Sequence, residues 1–332
     1  MMAQNVKESR KALGAIIITV YNKEKYIEDS LQSALMQEGE FPYKIILSDD
    51  ISTDSSASVC SRYTSLYPDK IVFLPSSEHV GLVANGYKCL RYALSIGATH
   101  ILQLDCDDIL CSSDYFSRQI RFLEENPKYQ AVFSSYHTIN ENAALESELK
   151  RSAELEYNYA PSGVNTRKLI AENLKMASGA AVYKTEHLEG FFREFATDEN
   201  VAKFKTQDLP LWLYLSLKGE FAVCSADILG FRDLSESASR SANIAKVEAF
   251  TRNSKEIREM FAEIFFKEKG ENLKEEAAAL YCKKMLRHYA KLSPGEYWKY
   301  LRSVLKEKGI RKIIFSKDFI RSLAVYLKNS KS

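Results

Sequence analysis

Glycine and proline are scarce, 13 and 7 in 332 residues, which excludes collagen-like and low-complexity architectures. The six cysteines, at 60, 89, 106, 111, 224 and 282, form no CxxC pair and have no closely spaced histidine pair beside them. That excludes the common zinc-binding spacings, and reduced thiols of a cytoplasmic protein are expected. No apolar run reaches the length of about 18 residues that a membrane-crossing helix needs. Lys7, Arg10 and Lys11 ahead of Leu13–Tyr21 mimic a secretion signal. Asn22-Lys23-Glu24-Lys25 follows with no small-residue cleavage site, so a buried strand is expected there. Formal net charge is only +2, too little for a global field that recruits nucleic acid. The charge is nonetheless uneven. Residues 245–332 carry 21 Lys/Arg against 11 Asp/Glu, a net of +10, which leaves −8 for the remainder.

Hydrophobic residues make up 45% of the chain, enough for a packed core. The first 137 residues alternate strand-length apolar runs with helical periodicity. Ala15–Tyr21, Lys44–Ser48, Ile71–Leu74, His100–Leu104 and Tyr129–Ser134 read as strands. Helical patterns separate them, at Glu24–Gln37, from a cap at Asp54, at Ala84–Ile96 and from a cap at Ser113. This alternation predicts an α/β fold with a mostly parallel central sheet and helices on both faces. Residues 140–175 lack clear periodicity and read as an irregular insertion. Ala177–Tyr183 and Phe221–Ser225 return to strand character, and Leu209–Leu217 reads as a buried helix. From Ala245 onward the pattern is helical, with a good start signal at Ser293-Pro294-Gly295-Glu296.

Two acidic clusters follow predicted strands, where open α/β sheets bind their ligands. One is Asp49-Asp50-Ile51-Ser52-Thr53-Asp54, the other Asp105-Cys106-Asp107-Asp108. Adjacent carboxylates repel, and three at a buried strand end call for a neutralising cation. A hard divalent ion, Mg2+ or Mn2+, suits oxygen ligands and commonly bridges substrate phosphates. The structural alternatives stay open: Asp54 as a helix cap, Asp49 and Asp50 as a solvated strand end, Asp105–Asp108 as a polar turn. The histidines at 79, 100, 137, 187 and 288 are scattered and read as structural, and Trp212 as core.

These residues carry a resemblance. Val20-Tyr21-Asn22, Asp49–Asp54, Gly81-Leu82-Val83-Ala84-Asn85, Leu104–Asp108, Thr206–Trp212 and Gly230-Phe231-Arg232 occur in the order and spacing of the family 2 glycosyltransferases of GT-A fold, bacterial surface-polysaccharide type. The chain resembles that family over about residues 13–240, with Ile51 where the family's DDGSTD pattern has Gly. By this resemblance, residues 13–137 form a nucleotide-sugar half, 138–240 an acceptor half, and 241–332 a basic α-helical extension. Asp50 is implied to contact the nucleotide base, with Tyr21, Asp49, Asn85, Asp105, Asp107 and Asp108 around the donor. Asp107 and Asp108 are the implied metal ligands, for Mn2+ or Mg2+, and Asp208 the catalytic base. Gln207 stands where Glu is common, and Leu234 where many members have His. The implied reaction is inverting transfer of a sugar from a nucleotide-diphosphate donor, UDP-sugar foremost, to a hydroxyl on a glycan or lipid-linked glycan. The rival readings are a catalytically silent nucleotide-sugar-binding module and a sugar nucleotidyltransferase. The basic C-terminal helices suit either docking on the catalytic domain or peripheral contact with the inner face of a membrane.

Overall fold

In the computed structural model, residues 12–150, 154–172, 174, 176–234, 243–306 and 317–329 are described. They fall into two compact units. The first comprises residues up to Ser162, Ala177–Glu189 and Ala222–Arg232; the second Gly163–Met176, Gly190–Phe221 and the residues from Asp233 onward.

The first unit is built on a single sheet. Its strands are β1 (Gly14–Val20), β2 (Tyr43–Asp49), β3 (Ile71–Phe73), β4 (His100–Gln103), β5 (Ile109–Leu110), β6 (Tyr129–Ile139), β7 (Tyr159–Pro161), β8 (Ala181–Lys184) and β9 (Glu220–Arg232). The spatial order is β3-β2-β1-β4-β8-β6-β9-β5, and β7 pairs with β9. β1 is apolar along its whole length because both its faces are covered: Ile16, Ile18 and Val20 enter one core cluster, while Ala15 and Ile17 are buried opposite. It runs parallel to β2 and β4, and β2 parallel to β3. The parallel part predicted from the sequence is these four strands. The later strands join antiparallel, β8 between β4 and β6, and β9 beside β5 and β7. Apolar pattern marks a buried strand but not its direction.

Helices α1 (Ile27–Leu35), α2 (Ser56–Leu66), α3 (Leu82–Ser95) and α4 (Tyr115–Glu125) fill the connections. The cap position of α2 falls on Ser55, not on Asp54 as expected; Asp54, one residue earlier, accepts a hydrogen bond from the Ser56 N–H at 2.9 Å. Asp114, not Ser113, flanks α4, and its carboxylate is spent on Ser112, Tyr157 and Arg118 rather than on a capping bond. The insertion is more ordered than its sequence suggests. It contains α5 (Leu145–Glu148), strand β7 and α6 (Thr166–Ala171). Tyr159 of β7 stacks on Phe122 with ring centroids 4.0 Å apart, a contact distant in sequence and invisible to periodicity.

The second unit is helical. After α7 (Leu188–Glu194), which straddles the division, come α8 (Asp198–Lys203) and α9 (Asp208–Lys218). The long helices α10 (Ile244–Lys269) and α11 (Lys274–Leu292) follow, then α12 (Pro294–Lys306) and α13 (Lys317–Asn329). α6 and α9 pack against α10. α12 starts at Pro294, as the start signal predicts, with the Glu296 N–H donating to Ser293 O. Tyr297, Leu301 and Val304 of α12 enter a cluster with Cys282, Leu286 and Ala290 of α11. Phe319, Leu323 and Tyr326 of α13 pack against the same cluster, while Ile320 and Leu327 stay exposed. Among the described residues no helix is long and apolar enough to cross a membrane.

Candidate donor site at the strand ends

The chain runs from β1 outward through β2 to β3, then returns to β4 on the other side of β1. That reversal is a topological switch point, and it opens a crevice at the carboxyl ends of β1 and β4. Tyr21-Asn22-Lys23 leaves β1 there, and Asp105–Asp108 leaves β4. Asp49, the last residue of β2, pairs in register with Val20 of β1, so the Asp49–Asp54 cluster starts beside the loop that leaves β1.

The loops after β1 and β2 are stitched together residue by residue. The Asn22 N–H donates to Ser52 Oγ at 2.9 Å, and the Thr53 N–H donates to Asn22 Oδ1 at 2.7 Å. The Lys23 N–H donates to Ser56 Oγ at 2.8 Å, the Glu24 N–H to Asp54 Oδ2 at 3.1 Å, and the Ser55 N–H to Glu24 Oε2 at 2.9 Å. Polar residues at these positions therefore replace the backbone pairing that two diverging loops lose. Asn22 and Ile51 both take the left-handed conformation, at φ 52° and 60°.

The acids in this region have different tasks. Asp49 receives the Ser52 N–H at 2.9 Å and the Ser52 hydroxyl at 2.5 Å, closing the turn that follows β2. Asp50 is only 2% exposed. Its Oδ1 accepts from the Val80 N–H at 2.9 Å and its Oδ2 from the Gly81 N–H at 2.8 Å. Gly81 has φ 84° and ψ 164°, a region that essentially only glycine adopts, which explains a glycine just ahead of α3. Asn85 is expected beside the donor, but the structure buries it and commits its amide. Ser48 Oγ donates to Asn85 Oδ1 at 2.7 Å, and Asn85 Nδ2 donates to Ser48 O at 3.3 Å. Its contact is thus with the end of β2.

The cluster after β4 is graded in exposure. Asp105 is exposed, Asp107 half-buried and Asp108 1% exposed. Lys23 Nζ donates to Asp107 Oδ2 at 2.8 Å. Burial pulls the Lys23 ammonium down, but Asp107 outweighs it and the net pKa is raised. Asp108 Oδ1 accepts the Arg232 main-chain N–H at 2.8 Å, and its Oδ2 has no hydrogen-bond partner. Burial, then Asp105 and Asp107, hold Asp108 well above the usual carboxylate range. The buried Arg232 side chain ties the region together. It donates to the carbonyls of Asp107, Asn140, Glu141 and Ala143, and to Asp29 Oδ2 at 3.1 Å.

An unpartnered buried carboxylate oxygen beside two further acids suits a hard divalent cation. Among the described residues no group of three or more His, Cys, Asp or Glu side chains forms a ready cage. These donors therefore match an ion that takes only one or two protein carboxylates and completes its shell with phosphate and water.

Two residues here escape the sequence reading. Lys23 is the resident cation, and only its place one residue past Tyr21-Asn22 signals it. His79 Nδ1 lies 3.0 Å from Asp50 Oδ2, and its ring sits 4.5 Å from the Tyr21 ring. Tyr21 is 45% exposed, so the two rings offer an open aromatic surface beside Asp50. Asp208 belongs to the second unit. It is the first residue of α9, with Gln207 at the cap position, and a carboxylate suits the positive end of a helix.

Comparison with known proteins gives a family match. The family model described as "Glycosyl transferase family 2" matches residues 15–192. The putative glycosyltransferase EpsE of Bacillus subtilis is 30% identical over 118 residues, 36% of this chain and 41% of that protein. The minor teichoic acid biosynthesis protein GgaA of the same organism is 33% identical over 126 residues, 37% and 28% of the two chains. The uncharacterized protein Rv1520 of Mycobacterium tuberculosis is 29% identical over 135 residues, 40% and 38%. The chain thus spans about two-fifths of these curated relatives or less. The structure of S. aureus TarS 1-349 in complex with UDP-GlcNAc superposes over 96% of this chain and 91% of that one, with a TM-score of 0.51 at 16% identity. That likeness is one of fold.

Proposed function

The chain belongs to glycosyl transferase family 2, whose model covers more than half of it, and we propose that it is an inverting transferase moving a sugar from a nucleotide-diphosphate donor to an acceptor hydroxyl. A UDP-sugar is the proposed donor, and a glycan or lipid-linked glycan the proposed acceptor. One observation carries this reading: the loops leaving β1, β2 and β4 meet at the switch point and bring Tyr21, Asp50 and the Asp105–Asp108 acids to one crevice.

In this reading Asp50 faces the nucleotide base, with the Tyr21 and His79 rings flanking it. Asp49 and Asn85 act indirectly, the first by closing the turn after β2 and the second by holding Ser48. Asp107 and Asp108 would hold Mn2+ or Mg2+, with Asp105 at the sugar side. A bound divalent ion supplies electrostatic neutralisation of the departing diphosphate. Lys23, 2.8 Å from Asp107, adds a positive charge on the same side. Asp208 accepts the proton of the incoming hydroxyl as it attacks the anomeric carbon, and direct displacement inverts that centre. Residues 13–137 serve the donor and 138–240 the acceptor, while the basic segment 241–332 either docks on the catalytic domain or makes peripheral contact with the inner face of a membrane.

The test is a screen of nucleotide sugars for metal-dependent binding and slow hydrolysis, followed by product analysis. A glycosidic product with free nucleoside diphosphate supports transfer. Donor binding without turnover would leave a silent binding module, and release of inorganic pyrophosphate from a nucleoside triphosphate and a sugar phosphate would mark a nucleotidyltransferase.

A further inference from the structure

The resemblance gives the nucleotide base to Asp50, yet this carboxylate has little left to offer a ligand. Its Oδ1 accepts the Val80 N–H, its Oδ2 accepts the Gly81 N–H, and the side chain is 2% exposed. The side chain beside it that reaches solvent is His79, 52% exposed. His79 Nδ1 lies 3.0 Å from Asp50 Oδ2 and 3.0 Å from the Asp50 main-chain O. The ring is also held through its face. It packs on the Tyr21 ring with centroids 4.5 Å apart and 36° between the planes.

These contacts fix which ring nitrogen donates. Both atoms that Nδ1 faces are oxygens able only to accept, so Nδ1 carries a proton and donates it. In a neutral imidazole the other nitrogen is then an acceptor. The carboxylate does not call for an imidazolium, because two main-chain N–H groups already meet it at the start of α3, the positive end of that helix. His79 Nε2 makes no hydrogen bond to any described residue. It is an oriented acceptor, at the edge of an exposed aromatic pair, with nothing to accept from.

Resting on the donor-site reading above, we propose that His79 selects the base: its Nε2 accepts the ring N–H of a uracil-type base, uracil or thymine, placed beside Tyr21. Asp50 then acts through His79 as the group that orients it. Uracil and thymine carry a hydrogen on N3, whereas cytosine has a lone pair there. Cytosine at the same place would set acceptor against acceptor and leave both unpaired. The discrimination thus comes from the direction of one hydrogen bond, and that direction comes from the buried acid behind the ring.

The test is calorimetric titration of the full chain with UDP, thymidine diphosphate and CDP, in Mn2+ and at about pH 8, where an ordinary imidazole is neutral. The three ligands share the diphosphate, so its contribution cancels in their ratios. The parent should bind UDP at least about tenfold more tightly than CDP, one matched hydrogen bond against two facing acceptors. His79→Phe keeps a ring for Tyr21 but has no acceptor, so UDP affinity should fall and the preference over CDP collapse. His79→Gln can turn either its amide oxygen or its amide nitrogen to the base, so it should keep UDP affinity and gain CDP. A merely structural His79 would weaken both nucleotides alike and leave their ratio unmoved. Thymidine diphosphate binding more tightly than UDP would keep the proposal and make thymine the base. CDP binding as tightly as UDP to the parent, or the parent's ratio surviving in His79→Phe, would overturn the proposal with the donor crevice intact. A parent that binds none of the three would overturn the donor reading itself, and this inference with it.

Discussion

Ile51 sits at φ 60° in the turn between Asp50 and Ser52, where the family pattern has glycine. A residue with a Cβ pays roughly 1–2 kcal/mol there, and a β-branched one is the worst suited. The comparison that isolates this strain is Ile51→Ala against Ile51→Gly. Both variants lose the same 42%-exposed side chain, so burial cancels between them. Alanine keeps the left-handed penalty and glycine sheds it. Against glycine stands the greater freedom it gives the unfolded chain, about 0.4–1 kcal/mol. The balance leaves the glycine variant more stable than the alanine variant by about 0.5–1 kcal/mol, the reverse of their order at ordinary positions. In urea unfolding followed on the first unit, the midpoints should differ by about 0.3 M with glycine higher and slopes unchanged. An alanine variant that matches or exceeds the glycine variant would show that the turn holds no such strain, and that the hydrogen bonds from Ser52 and Thr53 do not fix its conformation.

Asp208→Asn should keep folding and nucleotide binding but lose roughly 100–10,000-fold in turnover; near-parental turnover would send the base assignment elsewhere. Chelation should abolish transfer and added Mn2+ or Mg2+ restore it; full activity in chelator would remove the metal from the proposal. Arg232→Met should cost about 3–5 kcal/mol, because it strands four main-chain carbonyls and Asp29 around a buried charge site; a loss below about 1 kcal/mol in denaturant titration would contradict that. His100 is buried on β4, and burial lowers it to about 4 from 6.5. The neutral ring fits the fold, so the unfolded chain binds the extra proton. Stability is present above pH 6.5 and lost as pH falls towards about 4, by up to about 3 kcal/mol. His100→Gln should flatten that slope in pH-dependent melting.

The parallel half of the sheet was legible because a strand covered on both faces must be apolar throughout, and Ala15–Val20 is. The antiparallel half was not, since Val182 pairs with Leu102 and Val132 through contacts that no local pattern encodes. The acidic strand ends were legible from charge alone: three acids in Asp105–Asp108 stand out after an apolar run. What each acid does was hidden. Asp50 is held by main-chain N–H groups of Val80 and Gly81, and main-chain donors leave no mark in a sequence beyond the glycine. Lys23 and His79 lie 84 and 29 positions from the acids they meet, Asp107 and Asp50, so only the folded chain brings them together. The assignments of Asp49 and Asn85 followed position in a motif, whereas their side chains are committed to Ser52 and Ser48.

All six cysteines are free and buried. Burial pushes the Cys60 thiol up to about 12 and Cys89 to about 11, so neither offers a reactive thiolate at neutral pH. The folded chain is therefore a nearly silent background for maleimide chemistry. A single cysteine introduced at an exposed site, such as Leu66→Cys, could carry a fluorophore or spin label without first stripping native thiols from the core. Slow labelling of the parent would then serve as a clock for local opening.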